Sequence, residues 1–253
     1  MSVVTTQYKT SEKLNTRISL HEKYSANKQG FSNWLVSNYD IREGMRILEL
    51  GCGTGSLWLG HEDEISKCER LVLTDLSEGM LETAKQNLVD GKKLEYQIAD
   101  IQSLPFEDDS FDIVIANMML YHVPNLDKGL KEVRRVLKEG GSFYCATYGE
   151  NNFTDEIITW LNVEDKEFRP NHSFTLQNGI EILSKYFSQI DKLHYEDSLH
   201  VTEIEDMVEY IKSLPSINMN SKISYERIRE IVTSHAVDGV IDLPKDYGMF
   251  VCY

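Results

Sequence analysis

The chain has 253 residues, 41% of them apolar and 26% charged, enough for one α/β domain with additions or for two small domains. Its 41 acidic against 26 basic residues give a formal net charge of -15; this disfavours nucleic acid and anionic membrane as partners, whose binders draw their affinity from Lys and Arg. No apolar run is long enough to span a membrane, no secretory signal is expected from the first residues, and Cys52, Cys68, Cys145 and Cys252 read as reduced thiols of a cytoplasmic protein rather than a disulfide frame or zinc site.

In chain order, residues 1–9 read as a loose arm. Ser11–Ala26 reads as a helix with Leu14, Ile18 and Leu20 apolar, and Gly30–Asn38 as a second, short helix with Phe31, Trp34 and Leu35 on one side. Both precede the first strand and can fold over the strand ends as a cover. Arg46–Gly55, RILELGCGTG, is an apolar run that reads as a buried strand and then a tight turn at Gly51, Gly53 and Gly55, where backbone must come close to something. Ser56–Ile65 is predicted as the helix that completes a strand, glycine loop, helix unit.

The glycine spacing separates two chemistries. A dinucleotide fingerprint is G-x-G-x-x-G, aimed at a pyrophosphate; here the third glycine comes one position early. Glu49 lies just before Gly51, poor company for a pyrophosphate but suited to a ligand carrying an ammonium group. The pattern E-x-G-x-G-x-G on a first strand resembles the class I S-adenosylmethionine-dependent methyltransferases. In that family the loop wraps the methionine part of the cofactor, which implies contacts from Glu49, Gly51, Cys52, Gly53 and Gly55. The stretch Arg17–Leu35 is similar to the leader of a bacterial methyltransferase group. That likeness implies that Arg17, His21 or Tyr24 reaches the cofactor; the alternative is that all three are surface residues of an amphipathic helix.

Arg70–Thr74 is a second buried strand ending at Asp75, followed by a helix with Ser77 as N-cap and Met80, Leu81, Ala84 and Leu88 on its buried side. An acid at this strand tip accepts both hydroxyls of an adenosine ribose, each bond worth roughly 1.5–3 kcal/mol. This feature does not separate NAD from S-adenosylmethionine, since both contain that ribose; an N-capping Asp is the other reading. Leu94–Ala99 is a third strand ending at Asp100. By the resemblance, Asp100 accepts from the adenine amino group, the Ile101 backbone donates to the ring, and Leu76 and Met80 join the cofactor site.

Leu104–Val123, LPFEDDSFDIVIANMMLYHV, holds a fourth strand, Phe111–Ala116. Asn117 and Met118 leave its carboxyl end, where ligands bind in open parallel sheets, and both are expected at the cofactor. The stretch resembles the corresponding segment of the ubiquinone-biosynthesis-like methyltransferases. Asn117-Met118-Met119-Leu120 lacks the N-P-P-Y motif of amino-methyltransferases acting on DNA and protein. Asn125–Lys138 reads as an amphipathic helix stopped by Gly140-Gly141, and Ser142–Thr147 as a fifth strand. Five strands alternating with helices define an α/β doubly wound core.

Beyond Tyr148 come a helix over Phe153–Val163, a polar loop through Pro170 and His172, a helix over Leu176–Ser184, and a sixth strand, Phe187–Tyr195. Thr202-Glu203-Ile204-Glu205 reads as a capping box opening a helix to Ser213. Ser224–Val237 is a further helix and Tyr247–Tyr253 a last strand. The resemblance implies a Rossmann-like seven-stranded sheet with helices on both faces, its last strand antiparallel between the fifth and sixth. The expected layout is a single domain: a helical cover over 1–43, a cofactor-binding core over 44–147, and substrate-side helices and final strands over 148–253.

The implied activity is methyl transfer from S-adenosyl-L-methionine to a small-molecule acceptor, leaving S-adenosyl-L-homocysteine. His122 is the candidate general base or orienting group, with backbone-bonded structural His as the alternative; Tyr121, Tyr148 and His172 are weaker candidates. No metal-ligand spacing is present. An NAD-dependent oxidoreductase and a non-catalytic cofactor-binding scaffold are the competing classes.

Overall fold

The computed structural model describes residues 12–88, 93–162, 171–214 and 223–253; the arm expected over 1–9 and the polar loop up to Pro170 lie outside them. Two helices, α1 (Glu12–Tyr24) and α2 (Phe31–Ser37), lead into β1 (Arg46–Leu50). Then come α3 (Glu62–Lys67), β2 (Arg70–Asp75), α4 (Glu78–Asn87), β3 (Leu94–Ile98), β4 (Phe111–Ile115) and α5 (Leu126–Val136). The chain closes with β5 (Leu137–Tyr148), α6 (Phe153–Trp160), α7 (Gly179–Leu183), β6 (Ile190–Val201), α8 (Ile204–Ser213), α9 (Tyr225–Ser234) and β7 (Ile241–Cys252).

The strands form one seven-stranded sheet in the order β3-β2-β1-β4-β5-β7-β6. β1 to β5 run parallel, and β7 is antiparallel to both its neighbours, as the resemblance implies. β1, β2 and β4 are apolar on both faces because helices cover both faces. One face packs Leu48, Val72, Val114 and Phe143 against Leu130 and Val133 of α5; the other packs Ile47, Leu71 and Ile113 against Leu35, Trp58 and Leu81. Strand order reverses between β1 and β4, which opens the crevice at their carboxyl ends where such sheets take ligands.

The long last strands differ from expectation. β5 begins at Leu137, directly after α5, so Gly140 and Gly141 lie inside a strand instead of stopping a helix. β5 pairs with β7 up to Tyr148 opposite Tyr247. Past that rung β6 and β7 continue as a two-stranded ribbon, from Glu196 opposite Asp246 to Val201 opposite Ile241. A separate apolar cluster gathers on it: Leu20 of α1, Phe153 and Ile157 of α6, Met207 and Ile211 of α8, and Ile228 and Val232 of α9 with Leu199 and Leu243. The N-terminal helix and the insertion thus share one small core, which stands beyond the carboxyl rim of the sheet.

Local corrections have local causes. The helix expected over Ser56–Ile65 is a 3₁₀ turn, Ser56–Trp58, and the separate helix α3, parted at Gly60 with φ +78°. α8 starts at Glu203 with no side-chain cap, so the Thr202 capping box does not form. Ser77 and Ser224 do cap α4 and α9, accepting from the Met80 and Arg227 N–H groups. Among the described residues no helix is long and apolar enough to cross a membrane.

Candidate functional site

The glycine loop hangs on the end of β1. Gly51, Gly53 and Gly55 all have left-handed backbone, φ +69°, +56° and +72°, which other residues adopt only at a cost. Gly55 also allows close packing on α4: a Cβ there would lie 3.0 Å from Leu88 Cδ1 and 3.2 Å from Ala84 Cβ. The Cys52 N–H donates to the Thr74 carbonyl at 2.9 Å, and the Gly53 N–H donates to Asp75 Oδ2 at 3.0 Å. The loop is therefore sewn to the end of β2. Cys52 itself is buried, and burial pushes its thiol well above the ordinary range.

Glu49 is 3% exposed, and its Oε2 accepts the Trp58 indole N–H at 2.7 Å. Burial raises its pKa to about 7, with the Trp58 bond opposing and the charge of Asp75 adding to the rise. Trp58 is a site residue the sequence reading missed. The signal was present: an indole this close behind a glycine loop needs an acceptor once buried.

Asp75 accepts the Ser77 N–H on Oδ1 at 2.8 Å and the Gly53 N–H on Oδ2. Burial raises its pKa and these backbone bonds pull the other way. A carboxylate has about four lone-pair sites, so each oxygen keeps capacity for a further donor. Beyond it Leu76 is 46% exposed at the rim, whereas Met80 is 1% exposed. Met80 packs into the core beneath α4 and offers a ligand no surface, against the expectation.

At the tip of β3, Asp100 Oδ1 accepts from the Gln102 backbone N–H at 2.8 Å, and both its oxygens accept from the Gln102 side-chain amide at 3.1 Å. Ile101 is buried against Gly129 of α5. Asn117 is corrected: its amide donates to Tyr39 Oη at 2.7 Å and its oxygen accepts the Ala146 N–H at 3.3 Å. The side chain joins the segment after α2 to β5 and is committed to the protein. Met118 has φ +53°, and its N–H donates to the Ala146 carbonyl at 2.8 Å. A non-glycine residue in this conformation at the rim is local strain of the kind that gathers at functional sites.

His122 ends the 3₁₀ turn Leu120–His122, its ring 4.5 Å from that of Tyr121. Burial, with the Arg17 charge, lowers its pKa to about 4, so the imidazole is neutral at pH 7. Tyr148 stacks 4.6 Å from Tyr121, and His172 lies 6.3 Å beyond Tyr148, with Nε2 3.4 Å from Asp155 Oδ1.

Tyr24 is also corrected. It is buried, and its hydroxyl donates to Asp206 Oδ2 of α8 at 2.6 Å, so it ties α1 to the insertion instead of reaching the glycine loop. His21 packs in the same cover, among Phe153, Tyr210 and Tyr247. A cleft of about 120 Å³ lined by Asp40, Arg42, Asp112 and Lys138 lies at the amino end of β4, the far end of the sheet from the glycine loop. Its charges pair with one another, Arg42 with Asp40 and Lys138 with Asp112.

Comparison with known proteins places this geometry. The methyltransferase-domain family matches residues 48–145. The chain is 37% identical over 121 residues to the ubiquinone/menaquinone biosynthesis C-methyltransferase UbiE of Laribacter hongkongensis, covering 47% of this chain and 50% of that protein. It is 32% identical over 134 residues to a demethylmenaquinone methyltransferase of Staphylococcus aureus, covering 53% and 54%. The chain thus spans about half the length of the curated relatives it matches. The solved structure of the [4+2]-cyclase SpnF is similar with a TM-score of 0.60 at 16% identity, over 98% of this chain and 94% of that one, a likeness of fold alone. With this sheet order and this glycine loop, the chain belongs to the class I S-adenosylmethionine-dependent methyltransferases, as a relative of the ubiquinone/menaquinone C-methyltransferases.

Proposed function

We propose that the protein transfers a methyl group from S-adenosylmethionine to a small-molecule acceptor. The observation that carries this reading is the crevice between β1 and β2. A buried carboxylate, Glu49, lies behind three left-handed glycines, and a second one, Asp75, retains acceptor capacity at the strand tip. That set fits the cofactor: Glu49 suits its ammonium group and Asp75 its ribose hydroxyls. Asp100, the Ile101 N–H and the exposed face of Leu76 would flank its adenine. When bound, the cofactor supplies an electrophilic methyl on a sulfonium, whose leaving group is a neutral thioether.

The protein's task is then to hold the attacking atom in line. His122, neutral above about pH 4, orients the acceptor or accepts a proton from a hydroxyl nucleophile. A base works best with a pKa near the operating pH, so His122 is better suited to orientation. The net charge of -15 favours a small acceptor over nucleic acid or anionic membrane. Cys52, Cys68, Cys145 and Cys252 are all free thiols, which accords with a cytoplasmic location.

Calorimetric titration tests the reading. S-adenosylhomocysteine is expected to bind in the micromolar range and NAD not at all; binding of NAD alone would overturn it. The titration also carries a pH signature. Glu49 holds its proton up to about pH 7 and must release it to pair with an ammonium group. Affinity therefore rises about tenfold between pH 6 and pH 8, with proton release visible in buffers of different ionisation enthalpy. Glu49→Gln removes this dependence. Wild-type affinity that stays flat over this range places Glu49 away from the ammonium.

A further inference from the structure

Arg17, His21 and Tyr24 occupy positions i, i+4 and i+7 of α1 and so share one face. That face looks onto the ribbon and the insertion. Tyr24 is fixed to Asp206. The His21 ring lies 5.4 Å from Phe153, 6.2 Å from Tyr210 and 6.0 Å from Tyr247. Tyr247 stands opposite Tyr148, the last rung that β5 reaches. From Tyr148 the row of rings continues through Tyr121 to His122. The cluster around His21 therefore joins the cover directly to the turn that follows β4, at the rim where the crevice opens.

Two features of this cluster call for a ligand. The first is His21 itself: it is fully enclosed, and its Nδ1 has no hydrogen-bond partner among the described residues, whereas buried polar atoms are ordinarily satisfied. The second is charge. Arg17, one turn before His21, acts on His21, His122, Tyr210 and Tyr247 alike. His21 faces two cations, Arg17 and Lys245, against one carboxylate, Asp197. Nearby, Asp155 faces His172, and Asp206 faces Lys23. A cationic, ring-lined spot at the rim stands out in a chain of net charge -15.

We propose that this cluster is the acceptor site and that the acceptor is an acid, a planar apolar body carrying a carboxylate or similar oxyanion. The proposal rests on the reading of the crevice as the cofactor site. The rings of Phe153, Tyr210 and Tyr247 suit a flat partner. The Arg17 guanidinium matches an oxyanion in charge and fork geometry, and neutral His21 supplies a further hydrogen bond. A cationic amine would meet both Arg17 and Lys245 and be repelled.

The test uses the full chain saturated with S-adenosylhomocysteine and two probes of one shape, benzoate and benzyl alcohol, followed by ligand-observed NMR. Benzoate is expected to bind about tenfold more tightly than the alcohol. Arg17→Gln erases that preference, and Arg17→Lys retains part of it. Equal binding of the two probes, no benzoate binding, or an acid preference that survives Arg17→Gln each overturns the proposal. So does a loss of S-adenosylhomocysteine affinity in Arg17→Gln, which would put Arg17 on the cofactor. Failure of the wild type to bind S-adenosylhomocysteine, seen before any probe is added, is instead failure of the cofactor reading.

Discussion

Asp75→Ala is expected to weaken S-adenosylhomocysteine binding by about 100-fold or more. Two charge-assisted bonds to ribose hydroxyls are worth roughly 1.5–3 kcal/mol each, and their joint lower bound of about 3 kcal/mol corresponds to that factor. The structure adds a second contribution. Asp75 also accepts the Gly53 and Ser77 N–H groups, so its removal loosens the glycine loop and the start of α4. Asp75→Asn separates the two effects. Its amide keeps one acceptor oxygen for the backbone but brings no charge to the ribose. Affinity should fall in both variants, with the larger loss of melting temperature in Asp75→Ala. Calorimetry alongside thermal unfolding reads both quantities, and unchanged affinity in Asp75→Ala would sink the ribose assignment.

Lys245→Met should be the most destabilising single change in the cover, about 3–5 kcal/mol. Lys245 is 4% exposed and stands directly opposite Asp197 across the ribbon. Its ammonium pairs with Asp197 Oδ2, lies 3.0 Å from Ser25 Oγ, and sits over the rings of Tyr195 and Tyr247 at 5.5 and 5.1 Å. Asp197 also accepts from Ser25 Oγ and from the Asn27 and Ser198 N–H groups, the last two at 2.9 and 2.8 Å. Burial works against its charge, but these bonds outweigh it and hold its pKa below the ordinary value. The pair's stabilisation is therefore present above the usual carboxylate pKa and lost as pH falls through the depressed one.

Without Lys245 a buried carboxylate is left with neutral donors alone. Melting temperature should drop by roughly 10 °C, at about 2–4 °C per kcal/mol for a chain of this size. The double variant Asp197→Asn/Lys245→Met should recover more than half of the loss, because no unpaired charge remains. Additive losses would mean that the two side chains do not act as a pair. Hydrogen exchange should quicken first around Ser25–Asn27, since this network fastens the link between α1 and α2 to the ribbon.

The strands of the core, the glycine loop and the Ser77 cap were legible in the chain because each is a local statement. An apolar run followed by three alternate glycines constrains the backbone whatever surrounds it. The polar partners were not legible. Asn117 looked like a ligand-facing residue and is held by Tyr39, 78 positions away. Tyr24 looked like a cofactor contact and is held by Asp206, 182 positions away. Met80 is a core residue by its helix face, and its sequence neighbourhood beside Asp75 suggested otherwise.

The amino-acid sequence by itself determined the parallel α/β core and the position of the cofactor crevice, because periodicity, glycine spacing and strand-tip acids act over a few residues. Tertiary structure alone decided that Trp58 holds Glu49, that Lys245 meets Asp197, and that α1 and the insertion close over the rim on one shared core. Buried donors, acceptors and charges must find partners wherever packing brings them, and packing joins residues that no local pattern relates.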